Sequence, residues 1–233
     1  MKLIDSTYIV FDLETTGLSP KDNQIIEIAA EKISFDGTVL GTFHKFITLT
    51  IMEKLPEIII NLTGITGSIL IEEGCDIGEV MEEFEEFIEG SILVAQNARF
   101  DMSFLIKFYV SNFNKPFPRH NIDTIMLGKL LAPGKDTYKL SALTGYFQVE
   151  YDSTQHHRAD YDVFITKEVF IKQLTMLTDV HTISELNSIL GIKPASEKQI
   201  SYLDSLMGKR NMYLNEMDNF TITNASVHID LLK

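Results

Sequence analysis

A single cysteine in 233 residues, Cys75, has no partner within the chain, so an internal disulfide is excluded. The N-terminus, Met1-Lys2-Leu3-Ile4-Asp5-Ser6, has neither the basic start nor the apolar stretch of a secretory leader. Both features point to a reducing, cytoplasmic setting. No apolar run approaches the roughly 18 residues that a membrane span needs, so no membrane role is expected. Low-complexity tracts and internal repeats are also missing. Basic residues are scarce: 20 Lys and Arg stand against 33 Asp and Glu, for a net charge of −13. That balance, taken alone, disfavours nucleic acid, whose phosphates attract basic proteins. The distribution weakens the objection. Residues 72–89 hold nine acids and no base, and without them the net charge is −4. Residues 97–139 hold seven bases against three acids. Any one of these charges reads as solvated surface; together they predict an acidic flank that faces away from a less acidic working surface.

Hydrophobic residues make up 45% of the chain, enough for one full core with a small appended module. Tyr8-Ile9-Val10-Phe11 is a β-rich apolar run ending in Asp12, and reads as a buried strand. Residues 25–35 and 39–47 are two further strands, separated by the hairpin signal Asp36-Gly37. The pattern then turns helical, with Val80, Phe84, Phe87 and Ile88 on one face and acids on the other. Gly90 is a stop signal. Ile92-Leu93-Val94-Ala95 is a fourth strand, and Phe100, Phe104 and Phe108 mark a helix face. A short helix or turn follows over 141–147. A long one runs from Asp160 to about Leu177, with Val163, Phe170, Leu174 and Leu177 inward. The order β-β-β-α-β-α predicts an α/β protein: an antiparallel meander, parallel additions, and helices on the faces of the mixed sheet. Three segments are expected: a main domain over 1–178, a linker over 179–194, and a helical module over 195–233. In the module, Ile200, Leu203 and Leu206 repeat at helical spacing, and a last helix covers 225–232.

Asp12 and Glu14 are two residues apart at a strand end, so alternation points both carboxylates the same way. Like charges so placed repel unless a cation lies between them, and an oxygen-only ligand set suits Mg²⁺ or Mn²⁺. An isolated Asp-x-Glu is nevertheless a frequent chance match. Asp101 follows the fourth strand, where it also reads as the N-cap of the next helix. His156, His157, Asp160 and Asp162 cluster at the start of the long helix, where an acid also complements the helix dipole.

The joint order of these elements is more specific than any one of them. Phe11-Asp12-Leu13-Glu14-Thr15-Thr16-Gly17-Leu18, Gln96-Asn97-Ala98-Arg99-Phe100-Asp101 and His157-Arg158-Ala159-Asp160-Tyr161-Asp162 resemble the three motifs of the DEDDh exonucleases. That is the family of the DNA polymerase III epsilon subunit and the PolC-type exonuclease domain. Leu62-Thr63-Gly64-Ile65-Thr66 is similar to a further family signature, and Asp123-Thr124 and Leu140-Ser141-Ala142-Leu143 fall where the family has like residues. The resemblance covers about residues 5–175. It implies an RNase H-like fold, 3′→5′ exonuclease activity and two divalent cations, Mg²⁺ or Mn²⁺. It also implies Asp12, Glu14, Asp101 and Asp162 as ligands, with His157 as the general base. Thr15, Thr16, Leu18, Ile65, Asn97 and Phe100 would bind the terminal nucleotides. Ile65 and Phe100 also read as ordinary core. The sister subfamily with Tyr four residues before the last Asp does not fit, because Arg158 stands there. Gln96 replaces a frequent His, and Val163 a frequent Ala; neither removes a ligand.

Single-stranded DNA with a 3′ end is favoured over RNA, since Thr15 stands where oligoribonucleases usually carry Met. No polymerase region is present, so proofreading would need a DNA polymerase or another replication or repair protein as partner. An RNA-trimming relative, a non-catalytic nucleic-acid adaptor and another RNase H-like nuclease are the competing readings. The adaptor should have lost a ligand or the base, and all five residues are present.

Overall fold

The computed structural model describes residues 6–50, 54–152, 158–179, 185–186, 189–190, 194–212 and 220–233. His156 and His157 lie outside the described residues.

Strand β1 (Tyr8–Thr15) runs through the centre of a five-stranded sheet of order β3-β2-β1-β4-β5. It pairs antiparallel with β2 (Ile25–Ile33), which pairs antiparallel with β3 (Val39–Phe46). On its other side it pairs parallel with β4 (Ile92–Ala95), and β4 pairs parallel with β5 (Asn121–Asp123). The meander with parallel additions is as the sequence predicts. Gly37 supplies the positive φ, 86°, in the β2–β3 turn.

Three short or medium helices follow the meander: α1 (Glu57–Thr63), α2 (Gly67–Glu72) and α3 (Ile77–Phe87). Helix α4 (Ala98–Asn112) leads from β4, and α5 (Thr124–Leu131) and α6 (Leu140–Phe147) follow β5. Helix α7 (Ala159–Thr178) packs across β1 and β2. The tail holds α8 (Glu197–Gly208) and α9 (Ile222–Leu232).

Both faces of the sheet are covered, which is why β1 reads as a nearly continuous apolar run. Ile9, Phe11 and Leu13 face a core with Phe84, Met102 and Leu105 from α3 and α4. Tyr8 and Val10 face the other core, with Val163, Phe170, Leu174 and Leu177 of α7. The acids of residues 72–89 sit mostly exposed around α3, on the first of these faces. Leu186 and Leu190 are buried against the α7 core. The tail has its own small cluster, including Leu203, Met207, Phe220 and Ile229. Helix α9 also packs on α4, and its Val227 belongs to the main core. No described helix is long and apolar enough to cross a membrane.

Candidate active site

Alternation along β1 puts Asp12 and Glu14 on the α7 face, at the carboxyl end of a central strand. Ligand sites of open α/β sheets gather at such ends. The first turn of α7 contributes Asp162. One carboxylate oxygen from each of Asp12, Glu14 and Asp162 lies within 4.8 Å of the other two. Asp101 comes from the first turn of α4 and is buried, its Oδ1 accepting the Leu13 N–H at 3.2 Å. The N-cap reading of Asp101 is corrected: Asn97, at φ 61°, takes the N-cap position and Asp101 lies one turn further in. Four acids from three separate motifs are thus brought together at one strand end.

Their electrostatics are those of a site built for positive charge. Burial, then Asp101, Glu14, Asp162 and Glu27, push the Asp12 carboxyl well above the usual carboxylate range. Glu14 is pushed up to about 8 by burial, with Glu27, Asp162 and Asp101 adding repulsion. Asp101 also rises to about 8, because burial outweighs the N–H groups that point at it. Such carboxyls hold protons at neutral pH unless a cation replaces them. All donors are oxygens, the ligand type of hard divalent ions. The residues therefore fit a divalent cation, with Asp12, Glu14 and Asp162 as its nearest holders and Asp101 beside them.

The supporting contacts are local and specific. Thr16 Oγ1 donates to Asn23 Oδ1 at 3.2 Å and accepts the Gln24 N–H at 3.1 Å, while Thr15 Oγ1 donates to Gly17 O at 2.8 Å. These bonds knit the loop after β1. A Cβ at Gly17 would stand 2.5 Å from Asn23 Oδ1, so any side chain there must displace the amide that Thr16 bonds. Leu18, at the tip of that loop, is 86% exposed. Asp123 Oδ1 accepts the N–H groups of Asn97 at 3.1 Å and Ile125 at 2.9 Å, tying the second motif to α5. Gln96 Nε2 donates to Tyr138 O at 2.9 Å, and its Oε1 accepts from Thr124 Oγ1. Val163 is packed in the α7 core. Phe100 is half-buried and packs on Phe104, with ring centroids 5.1 Å apart. Ile65 is buried with Ile26, Leu55 and Leu70 behind Gly64, whose φ of 73° ends α1.

Sequence reasoning passed over Glu27. It lies opposite Glu14 in the β1–β2 register, is only 2% exposed, and accepts His44 Nε2–H at 2.6 Å. The signal was available: Glu27 is the one charge inside the otherwise apolar run Ile25-Ile26-Glu27-Ile28-Ala29-Ala30.

This fold and carboxylate arrangement define a nuclease of the RNase H-like class. An exonuclease family model, RNase_T, matches residues 9–170, and the chain belongs to that family. It is 35% identical over 218 residues to the PolC-type DNA polymerase III of Mycoplasmopsis pulmonis (strain UAB CTIP), covering 93% of this chain and 15% of that protein. The chain therefore spans only a small part of such curated relatives. Among solved structures, exonuclease X in complex with 5′-overhanging duplex DNA superposes with a TM-score of 0.57 at 25% identity, covering 79% of this chain and 99% of that one. Escherichia coli exonuclease I in complex with a dT13 oligonucleotide superposes with a TM-score of 0.67 at 18% identity, covering 84% and 47%.

Proposed function

We propose that this chain is a 3′→5′ exonuclease that shortens single-stranded DNA and releases nucleoside 5′-monophosphates, with two divalent cations, Mg²⁺ or Mn²⁺, as cofactors. The observation that carries this reading is the cluster of Asp12, Glu14 and Asp162, with buried Asp101 beside it, at the end of β1. Those four carboxylates would hold the ions, which supply Lewis acidity and charge neutralisation for phosphodiester hydrolysis. His157, from the third motif, is assigned the water's proton, a transfer that an imidazole can carry near neutral pH.

The remaining residues position the strand. Thr15, Thr16 and Asn97 would offer polar and backbone groups to the terminal nucleotide. Leu18 and Phe100 would offer apolar surface to its bases, a contact that tolerates any sequence, while Ile65 stays in the small core behind Gly64. Thr15, where RNA-trimming relatives usually carry Met, favours DNA. Residues 1–178 would carry the activity, with 195–233 as a helical module joined through 179–194. The likeness to PolC-type polymerases suggests a polymerase, or another replication or repair protein, as partner.

A digest of oligonucleotides labelled at either end tests the reading. A 5′-labelled DNA strand should shorten as a ladder, and a 3′-labelled one should release labelled mononucleotide at once. EDTA should stop both, and RNA should be cut more slowly. Release from the 5′ end first, or cleavage that persists in EDTA, would overturn it.

A further inference from the structure

His44 is placed in the same cross-strand row as Asp12. Asp12 is the Cα partner of Ala29 on β2, and Ala29 is the Cα partner of His44 on β3. Directly opposed residues share a face of the sheet, so His44 stands two strands, about 10 Å, from Asp12 on the α7 side. The imidazole is held by a buried acid of β2, the strand between it and the carboxylates. Its Nε2 donates to Glu27 Oε1 at 2.6 Å, and that carboxylate is 2% exposed while the His44 side chain is 38% exposed. The ring also meets Phe46 edge-on, with centroids 5.1 Å apart. Among the described residues no partner is found for Nδ1 of His44.

The surroundings decide what this nitrogen is for. Asp12, Glu14, Glu27 and Asp162 make the rim acidic, which repels a polyanionic strand. The hydrogen bond to Glu27 raises the His44 pKa and so favours the imidazolium; the charges of Asp160 and Arg158, at the start of α7, act on it in opposite directions. Arg158 is itself paired with Asp160 at 3.4 Å. His44 is therefore a prepositioned side chain at the edge of a carboxylate cluster, fixed by a buried acid. We infer that His44 Nδ1–H binds a backbone phosphate of the nucleic-acid strand close to its 3′ end and positions the strand over the carboxylates. The inference rests on the nuclease reading above and deepens it, since the resemblance assigns no role to His44.

The test uses the full chain and variants His44→Ala, His44→Gln and His44→Lys. Binding of a 5′-fluorescein dT oligonucleotide is followed by anisotropy in EDTA across a salt series, and KM and kcat are measured with Mg²⁺. Both neutral variants should raise KM and Kd about tenfold, with most of the change in KM rather than kcat. The salt slope of log binding should flatten by about 0.7, the value for one lost phosphate contact on a single strand. The lysine variant should restore the slope. Neutral variants with unchanged slope and Kd, or a fall in kcat alone, would overturn the inference. A wild-type protein that binds the strand but never cleaves it would instead overturn the nuclease reading. In that case the salt slopes still decide the role of His44.

Discussion

Asp12→Asn is expected to lower kcat by at least about a thousandfold while raising the melting temperature of the metal-free protein. The first effect follows from removing one holder of a divalent cation at the reacting phosphate. A thousandfold is about 4 kcal/mol of barrier, well within what such an ion supplies. The second effect follows from the repulsion that the ion would relieve. Asp12 is held well above the carboxylate range, and Glu14 and Asp101 at about 8. The unfolded chain ionises these groups near 4. Between about pH 4 and pH 8 the folded state thus binds more protons than the unfolded one, and metal-free stability falls as pH rises through that window. A neutral amide removes part of that penalty. A gain of about 2 kcal/mol at pH 8 would raise Tm by roughly 4–8 °C for a chain of this size. Melts in EDTA from pH 5 to pH 8 should slope downward in the wild type and less so in Asp12→Asn. Added Mg²⁺ should lift the wild type at pH 8 and leave the variant nearly unmoved. Equal activity in the two proteins, or a wild-type melt in EDTA that is flat with pH, would contradict the assignment.

The same residues show how far the sequence could be read. Asp12 and Glu14 were legible as a pair because strand alternation is local, and Asp101 and Asp162 because their motifs arrive in order. The meander was legible from period-two runs and Asp36-Gly37, and α7 from Val163, Phe170 and Leu174. Helices α1 and α2 were not read as helices. Ile58-Ile59-Ile60 gives no clear period, and these turns bury only a small cluster around Ile65. Strand β5 has three residues, too few to show any period. Glu27 and His44 needed more than pattern. Their meeting depends on the β2–β3 register, where a one-residue slip would send His44 to the opposite face. What stays hidden in a sequence is thus the long-range pairing, and the tail shows this most clearly.

His228→Ala is expected to lower Tm by roughly 6–12 °C at pH 7 and to change the acid limb of the stability curve. His228 lies on α9 and is fully buried. Its Nε2 accepts the Phe117 N–H at 3.0 Å, and its Nδ1–H donates to Asn224 O at 2.9 Å. Asn224 Nδ2 in turn donates to Phe117 O and Arg119 O, both at 3.2 Å. These partners are separated by more than 100 residues in the chain, so no local signal announces them. Truncation leaves a buried N–H unpaired and opens a cavity, together worth about 3 kcal/mol. Burial pushes the imidazole down to about 4 from an ordinary 6.5. The unfolded chain therefore takes up a proton that the folded chain refuses between pH 6.5 and 4, so His228 contributes a loss of stability as pH drops through that window, set against the opposite contribution of the active-site carboxyls. The alanine variant should lack this part of the acid loss; an acid limb identical in both proteins would refute the role. The consequence reaches the active site, because α9 packs on α4, the helix that carries Asp101 and Phe100. Arg99, just before them in the second motif, also pairs with Asp230 of α9 at 2.6 Å. Loosening α9 should accordingly lower the temperature at which cleavage is lost. The contributions of His228 and of the bare carboxylates to metal-free stability then oppose each other below about pH 6.5, and a divalent cation should relieve only the carboxylate loss.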